Sequence, residues 1–355
     1  MAKSKKEEVG IPQDEVNIIP VVKKKFSGLS DYKNQAFVKA AEIQYKPQGW
    51  IDMPESFKSV TKLPGIAKGA ISMVYGKSDT GKTTLAVQSA FFALNDKTEQ
   101  ILPVFIITEN KFSWDRAATM GVNEEDCLVF NNVQTIEDGI DLITKVLDDQ
   151  ATGKIPCSLY FVWDSIGGTP SRRENEHNKE QAKEAIKSFE EGKIKKDVGV
   201  GGMMITSKVL KETLTRNIGH KINASRDINF PYTNTLLLVN HGYLKPGTMG
   251  GPPSLIPNGG DGPILAASLV FRMGGVQSNS SKVTATKNGD KIGFAIKSAL
   301  VVEKNHITNV AANGKIICTD HGFIAEDEIE SYKKKYKDDW NLEYDKYWNT
   351  VNAEI

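Results

Sequence analysis

From Ile71 to Thr84 the chain reads ISMVYGKSDTGKTT, and residues 76–83 fit G-x-x-x-x-G-K-[ST] without a mismatch. Binding phosphate takes several converging donors and a backbone that can approach closely. Gly76 and Gly81 allow the tight fold, and the N–H groups across Lys77, Ser78, Asp79 and Thr80 can then turn inward. The N-terminus of a following helix adds partial positive charge. Lys82 would reach the outer phosphates, the Thr83 hydroxyl would hold Mg²⁺, and Thr84 completes the binding set. An ordinary glycine-containing turn is the bland alternative. The apolar run 71–75 before the loop and the helix-like run 85–94 after it favour a phosphate loop.

Two carboxylates could complete such a site. Asp164 closes the apolar run 159–163, where a nucleotide-hydrolysing protein needs a carboxylate near its Mg²⁺. Taken alone, an Asp in that place reads as a helix cap or turn residue. Glu109 follows the apolar run 104–107, at the strand edge where ligands bind in doubly wound sheets. A carboxylate there can orient an attacking water and take its proton. A helix-capping Glu fits the same spacing.

The elements that must position these groups alternate. Apolar strand-like runs at 71–75, 102–107, 127–130, 159–163, 235–239 and 265–273 are separated by helix-like segments at 85–94, 114–120, 136–150 and 203–214. This predicts an α/β fold with a mainly parallel central sheet and helices on both faces. Residues 283–287 and 292–303 flank Asn288-Gly289-Asp290 and predict a C-terminal β-hairpin, with a second candidate turn at Asn313-Gly314. The organisation expected is an N-terminal arm over 1–56, one ATPase core over 57–310 and an acidic C-terminal tail over 311–355. The 355 residues, 39% apolar and 25% charged with a net charge of +1, fit a globular protein. No apolar run of membrane-spanning length and no hydrophobic signal region occur, so a cytoplasmic protein without membrane contact is expected. Cys127, Cys157 and Cys318 lack metal-binding spacing and read as reduced thiols.

Residues 57–307 carry a further pattern. The lead-in FKSVTKLPGIAKGAISMVYGKSDTGKTTL, the segment TENKFSWDRAATMGV after Glu109, Asp164-Ser165, LLVNH at 237–241 and VEKNHI at 302–307 follow one another as in RecA-type recombinases, which this chain resembles. The resemblance implies a RecA-like P-loop ATPase core using ATP and Mg²⁺. It implies that Glu109 activates water, that Asp164 orders the metal's water and that His241 senses the γ-phosphate. Lys304 and His306 would reach a neighbouring subunit's site, and Arg116 would lie against adenine. His241 stands where RecA has Gln, and His306 where a second Lys is expected. The segment after Asp164 is longer than in RecA. Phe37-Val38-Lys39-Ala40 matches the F-x-x-A linker of archaeal and eukaryotic recombinases, although so short a pattern arises by chance and a local helix core contact is the favoured reading.

The resemblance also gives meaning to two loops that would hold DNA. Residues 192–226 contain eight Lys or Arg against two acidic residues. Lys195, Lys196, Gly201, Gly202, Met203 and Lys208 are the contacts expected from that loop. Residues 246–263 hold six glycines and five prolines, and here Lys245, Gly250 and Gly251 would contact phosphates. A solvated charged face beside a flexible loop is the plain alternative. The function expected is ATP-dependent recombination. The protein would form a homo-oligomeric filament on single-stranded DNA and promote pairing and strand exchange with double-stranded DNA, alongside mediator or single-strand-binding proteins. A hexameric helicase-like motor and a non-recombinase accessory ATPase are the alternatives.

Overall fold

The computed structural model describes residues 44–177, 179–180, 202–247, 251–275, 281–340 and 345, with side chains from 207 onward in the third segment. The chain divides into two units, Met1–Gln44 and Tyr45–Ile355, and the elements belong to the second. Its first half contains β1 (Trp50–Asp52), α1 (Glu55–Thr61), β2 (Gly65–Ala67), β3 (Ile71–Gly76), α2 (Lys82–Leu94), β4 (Ile101–Ile107), α3 (Trp114–Thr119), β5 (Leu128–Phe130), α4 (Ile136–Ala151) and β6 (Ser158–Asp164). There follow α5 (Gly202–Glu212), α6 (Gly219–Ala224), β7 (Thr235–Lys245), β8 (Ser254–Pro257), α7 (Asp261–Ala266) and β9 (Leu269–Met273). The C-terminal part holds β10 (Ser281–Lys287), β11 (Asp290–Asn305), β12 (Asn313–Thr319), β13 (Gly322–Ile324) and α8 (Ile329–Lys335).

The main sheet has the order β13-β12-β11-β9-β3-β7-β6-β4-β5, with β10 added to β11 and β8 to β7. The strands from β9 to β5 run parallel, and the pairings of β8 and of β10 through β13 are antiparallel. Alternation within the parallel strands feeds two cores. Val74, Phe105, Tyr160 and Val162 pack with α1, α2 and α3 on one face. Met73, Tyr75, Val104, Phe161 and Trp163 pack with α4 and with Leu210, Leu214 and Ile218 on the other. Because side chains alternate with period two, one apolar run supplies both faces. On that second face a Cβ at position 139 would come within 2.3 Å of the Trp163 ring, so Gly139 lets α4 lie against it.

The structure corrects several boundaries. Residues 313–324, read from the sequence as part of a tail, form β12 and β13 of the main sheet, with Ile316, Ile317 and Cys318 buried. Asn313-Gly314 opens β12 instead of making a turn, and acidic composition begins only at Glu326. Trp50–Asp52 pairs with β2, so part of the expected arm belongs to the folded unit. The run 265–273 splits, its start closing helix α7 and its end forming β9. Residues 251–263 are not one long loop: Ser254–Pro257 pairs with Gly242–Lys245, Leu255 is buried, and α7 follows. Glycine and proline counts mark turns, and they hid the four-residue strand between them.

Candidate functional site

Parallel register brings the chemistry together. Gly76 of β3 pairs with His241 of β7, Asp164 of β6 with Val239 of β7, and Ile107 of β4 with Asp164. The ends of four adjacent strands therefore share one edge, and the phosphate loop leaves from it. There a cleft of about 510 Å³ is lined by Lys82, Thr83, Glu109, Arg116, Asp164 and His241, with Ser78, Asp79 and Thr84 beside them.

The loop is clamped from behind. A Cβ on Gly76 would lie 2.2 Å from the Met273 carbonyl oxygen, and one on Gly81, at φ +94°, would lie 2.3 Å from Cys318 Sγ. Neither position tolerates a side chain. Thr80 Oγ1 donates to the Lys77 carbonyl at 2.9 Å, which braces the turn. Asp79 takes φ +57°, a left-handed conformation that short polar residues accept. Lys82 opens the 13-residue helix α2, so its ammonium and the helix N-terminus act at the same place. Its Nζ donates to the Lys77 carbonyl at 2.7 Å. Burial lowers its pKa, opposed by the carboxylates of Asp164, Glu109 and Asp79.

Asp164 is 5% exposed and accepts the Thr83 hydroxyl at 2.9 Å. Burial raises its pKa to about 6, against the lowering effect of the Thr83 hydroxyl, and Glu109 adds repulsion. A buried carboxylate paired with a hydroxyl beside a phosphate cradle is a hard-oxygen donor set suited to Mg²⁺. No cluster of three His, Cys, Asp or Glu side chains that could hold a metal occurs among the described residues.

Glu109 accepts both the Ser165 hydroxyl and His241 Nε2 on Oε1. Its Oε2 has no hydrogen-bond partner among the described residues. The His241 contact holds the carboxyl down, burial opposes this, and the Ser165 hydroxyl adds to the lowering, giving about 2. Glu109 is thus ionised, anchored through one oxygen and free at the other. Ser165 is itself fixed through its N–H to Thr108 Oγ1 at 3.0 Å.

Arg116 also lines the cleft. Its Nη2 donates to Thr84 Oγ1 at 3.2 Å, and its Nε stands 3.0 Å from Asp320 Oδ1. From the sequence Ser165 was named only as part of the Asp164-Ser165 strand end, without a role of its own, and Asp320 was not singled out. Ser165 directly follows Asp164, so a polar residue after the strand end was the available signal. Asp320 sits in the β12–β13 turn, far along the chain, and nothing local marks it.

Lys304 and His306 do not line this cleft. Lys304 Nζ donates to the Ile264 carbonyl at 2.7 Å, at the end of α7, and His306 is exposed. Of the expected DNA contacts, Lys208 is exposed on α5, Lys245 is exposed at the end of β7, and Gly251 is exposed before β8. Gly202 and Met203 begin α5 and are helical. Lys195, Lys196, Gly201 and Gly250 lie outside the described residues, as does Phe37. Lys221 is partly neutralised by Asp148, 2.9 Å away. No helix among the described residues is long and apolar enough to cross a membrane.

No protein-family model matches the chain. Among curated proteins, Protein RecA of Streptococcus parasanguinis is 25% identical over 195 residues, covering 55% of this chain and 42% of that protein. Protein RecA of Streptococcus pneumoniae, strains Hungary19A-6 and CGSP14, matches at 25% over 195 residues, covering 41% of its length. The matched stretch thus spans less than half the length of these relatives. The chain is distantly related to RecA proteins, and its α/β sheet with the phosphate loop at the strand ends is a RecA-like core.

Proposed function

We propose that this protein is a DNA-dependent ATPase of the recombinase kind, one that assembles as a filament on single-stranded DNA and promotes homologous pairing and strand exchange. The observation that carries the proposal is the convergence of Lys82, Thr83, Asp164, Glu109 and His241 on one cleft. In that cleft Lys82 and the loop N–H groups bind the nucleotide's phosphates. Thr83 and Asp164 would hold Mg²⁺, which neutralises phosphate charge. Glu109, ionised and anchored by Ser165, orients water through its free oxygen and accepts its proton. His241, already touching Glu109, is placed to exchange that contact for a γ-phosphate. Arg116 offers a planar face to the base, with Asp320 holding it.

Lys304 and His306 lie off their own cleft, which suits a role at a neighbouring subunit's site. Lys208, Lys245 and Gly251, with the basic stretch around Lys195 and Lys196, would follow the DNA backbone without reading sequence. Partners of this function would be single- and double-stranded DNA, further copies of the chain, and proteins that load or cover single strands.

Electron microscopy with single-stranded DNA and a non-hydrolysable ATP analogue tests the reading. Helical filaments are expected. Closed hexameric rings would point to a helicase-like motor, and unassembled particles that still bind nucleotide to an accessory ATPase.

A further inference from the structure

In the pairing of β11 with β9, Val302 faces Phe271 and Lys304 faces Val270, so Glu303 is an extra residue without a partner in the ladder. A bulge of this kind breaks the alternation of a strand and re-aims the side chain it carries. The re-aimed carboxylate joins three strands. Its Oε2 accepts the hydroxyl of Tyr75, the residue before Gly76 in β3, and its Oε1 accepts Nε of Arg272 in β9. Arg272 Nη1 in turn donates to the Gly274 carbonyl at 2.9 Å. Gly274 presses on the phosphate loop: at φ +83°, a Cβ there would come within 2.6 Å of Thr80 Cγ2.

Tyr75 is 2% exposed, and its hydroxyl also stands 3.2 Å from the Leu255 carbonyl of β8. A phenol has one proton to give. It can go to the carboxylate on β11 or to the carbonyl on β8, so the hydroxyl stands between two competing acceptors. One ties the phosphate-loop strand to the segment carrying Lys304. The other ties it to the antiparallel pair of β7 and β8. None of the three side chains lines the phosphate cleft.

We propose that Glu303 is a positioning residue which, through Tyr75, links the phosphate loop to both the Lys304 end of β11 and β8. Nucleotide in the cleft and the state of the β7–β8 pair then depend on each other, by equal factors in both directions. The inference rests on the nucleotide-binding part of the function proposed above. It makes the bulge at Glu303 a functional feature of the strand, because an unbulged β11 would aim residue 303 elsewhere.

Hydrogen exchange on the full chain, with and without Mg²⁺ and a non-hydrolysable ATP analogue, tests it. In the wild type the amides of Gly242–Lys245 and Ser254–Leu255 should exchange at least about fivefold more slowly with the analogue bound. Tyr75→Phe deletes one hydroxyl and keeps the ring, and Glu303→Gln removes the charge at constant shape. Both should stay folded, losing no more melting temperature than one buried hydrogen bond accounts for, and bind the analogue within about twofold of wild type, yet lose the protection of these amides. A merely structural role would lower melting temperature and analogue affinity together, and that result overturns the proposal. So does full protection in either variant, or a wild type that binds the analogue with no change in these amides. A wild type that binds no nucleotide removes the proposed function and this inference with it.

Discussion

Lys304→Ala distinguishes a site shared between subunits from one confined to a single chain. In its own chain Lys304 donates to the Ile264 carbonyl at 2.7 Å and, more weakly, to Leu265 at 3.4 Å. A hydrogen bond from a charged donor contributes about 2 kcal/mol, so swinging Lys304 toward a neighbour's phosphates costs about that much. A cation supplied in trans to a transferring phosphoryl group gives at least on the order of a thousandfold, or about 4 kcal/mol. The difference, about 2 kcal/mol, corresponds to roughly thirtyfold in rate. Lys304→Ala should therefore lose about thirtyfold in DNA-stimulated ATP hydrolysis, and its ATP affinity should not change, because the residue does not line the cleft. Mixing it with Lys82→Ala subunits should restore part of the activity, since these retain Lys304 although their own phosphate loop is dead. Full stimulation in Lys304→Ala, or a mixture that never exceeds the sum of its parts, would refute the reasoning and return Lys304 to a helix-capping role on α7.

The other predictions address catalysis, DNA and stability. Glu109→Gln should keep ATP binding and lose hydrolysis by on the order of a hundredfold or more; steady-state hydrolysis within about twofold of wild type would remove Glu109 from the mechanism. Neutralising Lys195, Lys196 and Lys208 together should flatten the log–log salt dependence of single-strand binding by about 2 units, at about 0.7 per phosphate contact. An unchanged slope in a titration at several salt concentrations would place the DNA elsewhere. Asp96→Asn should destabilise the fold by about 2–3 kcal/mol in denaturant melts. Lys68 lies buried between Asp96 at 2.6 Å and Glu99 at 2.9 Å, so one partner of a buried cation survives the change. Burial raises the Asp96 pKa, but Lys68 and the Thr98 hydroxyl and N–H outweigh it and hold the carboxyl below its ordinary value of 3.8. A group depressed in the folded state stabilises above its unfolded pKa and stops doing so as pH falls through its folded one. The wild type should lose this contribution only below about pH 4, and Asp96→Asn should show a shallower stability decline in that window.

The phosphate-loop pattern was legible in the sequence because it is contiguous: Gly76, Gly81, Lys82 and Thr83 lie within one strand-to-helix turn. Glu109 and Asp164 were legible as the residues that close apolar strands, since in a parallel sheet every such end lies on one edge. The alternation of strands and helices gave the sheet and its two covered faces. Only the tertiary structure decided which strand ends are neighbours. The order β3-β7-β6-β4 sets His241 against Glu109, and Ser165 locks the pair. It likewise brought Asp320 to Arg116 and Glu303 to Tyr75, pairs separated by long stretches of chain whose meeting depends on where β11 and β12 dock. The bulge at Glu303 shows why pattern alone falls short. One unpaired residue shifts which side chains face which way, and it shows only once β11 is set against β9.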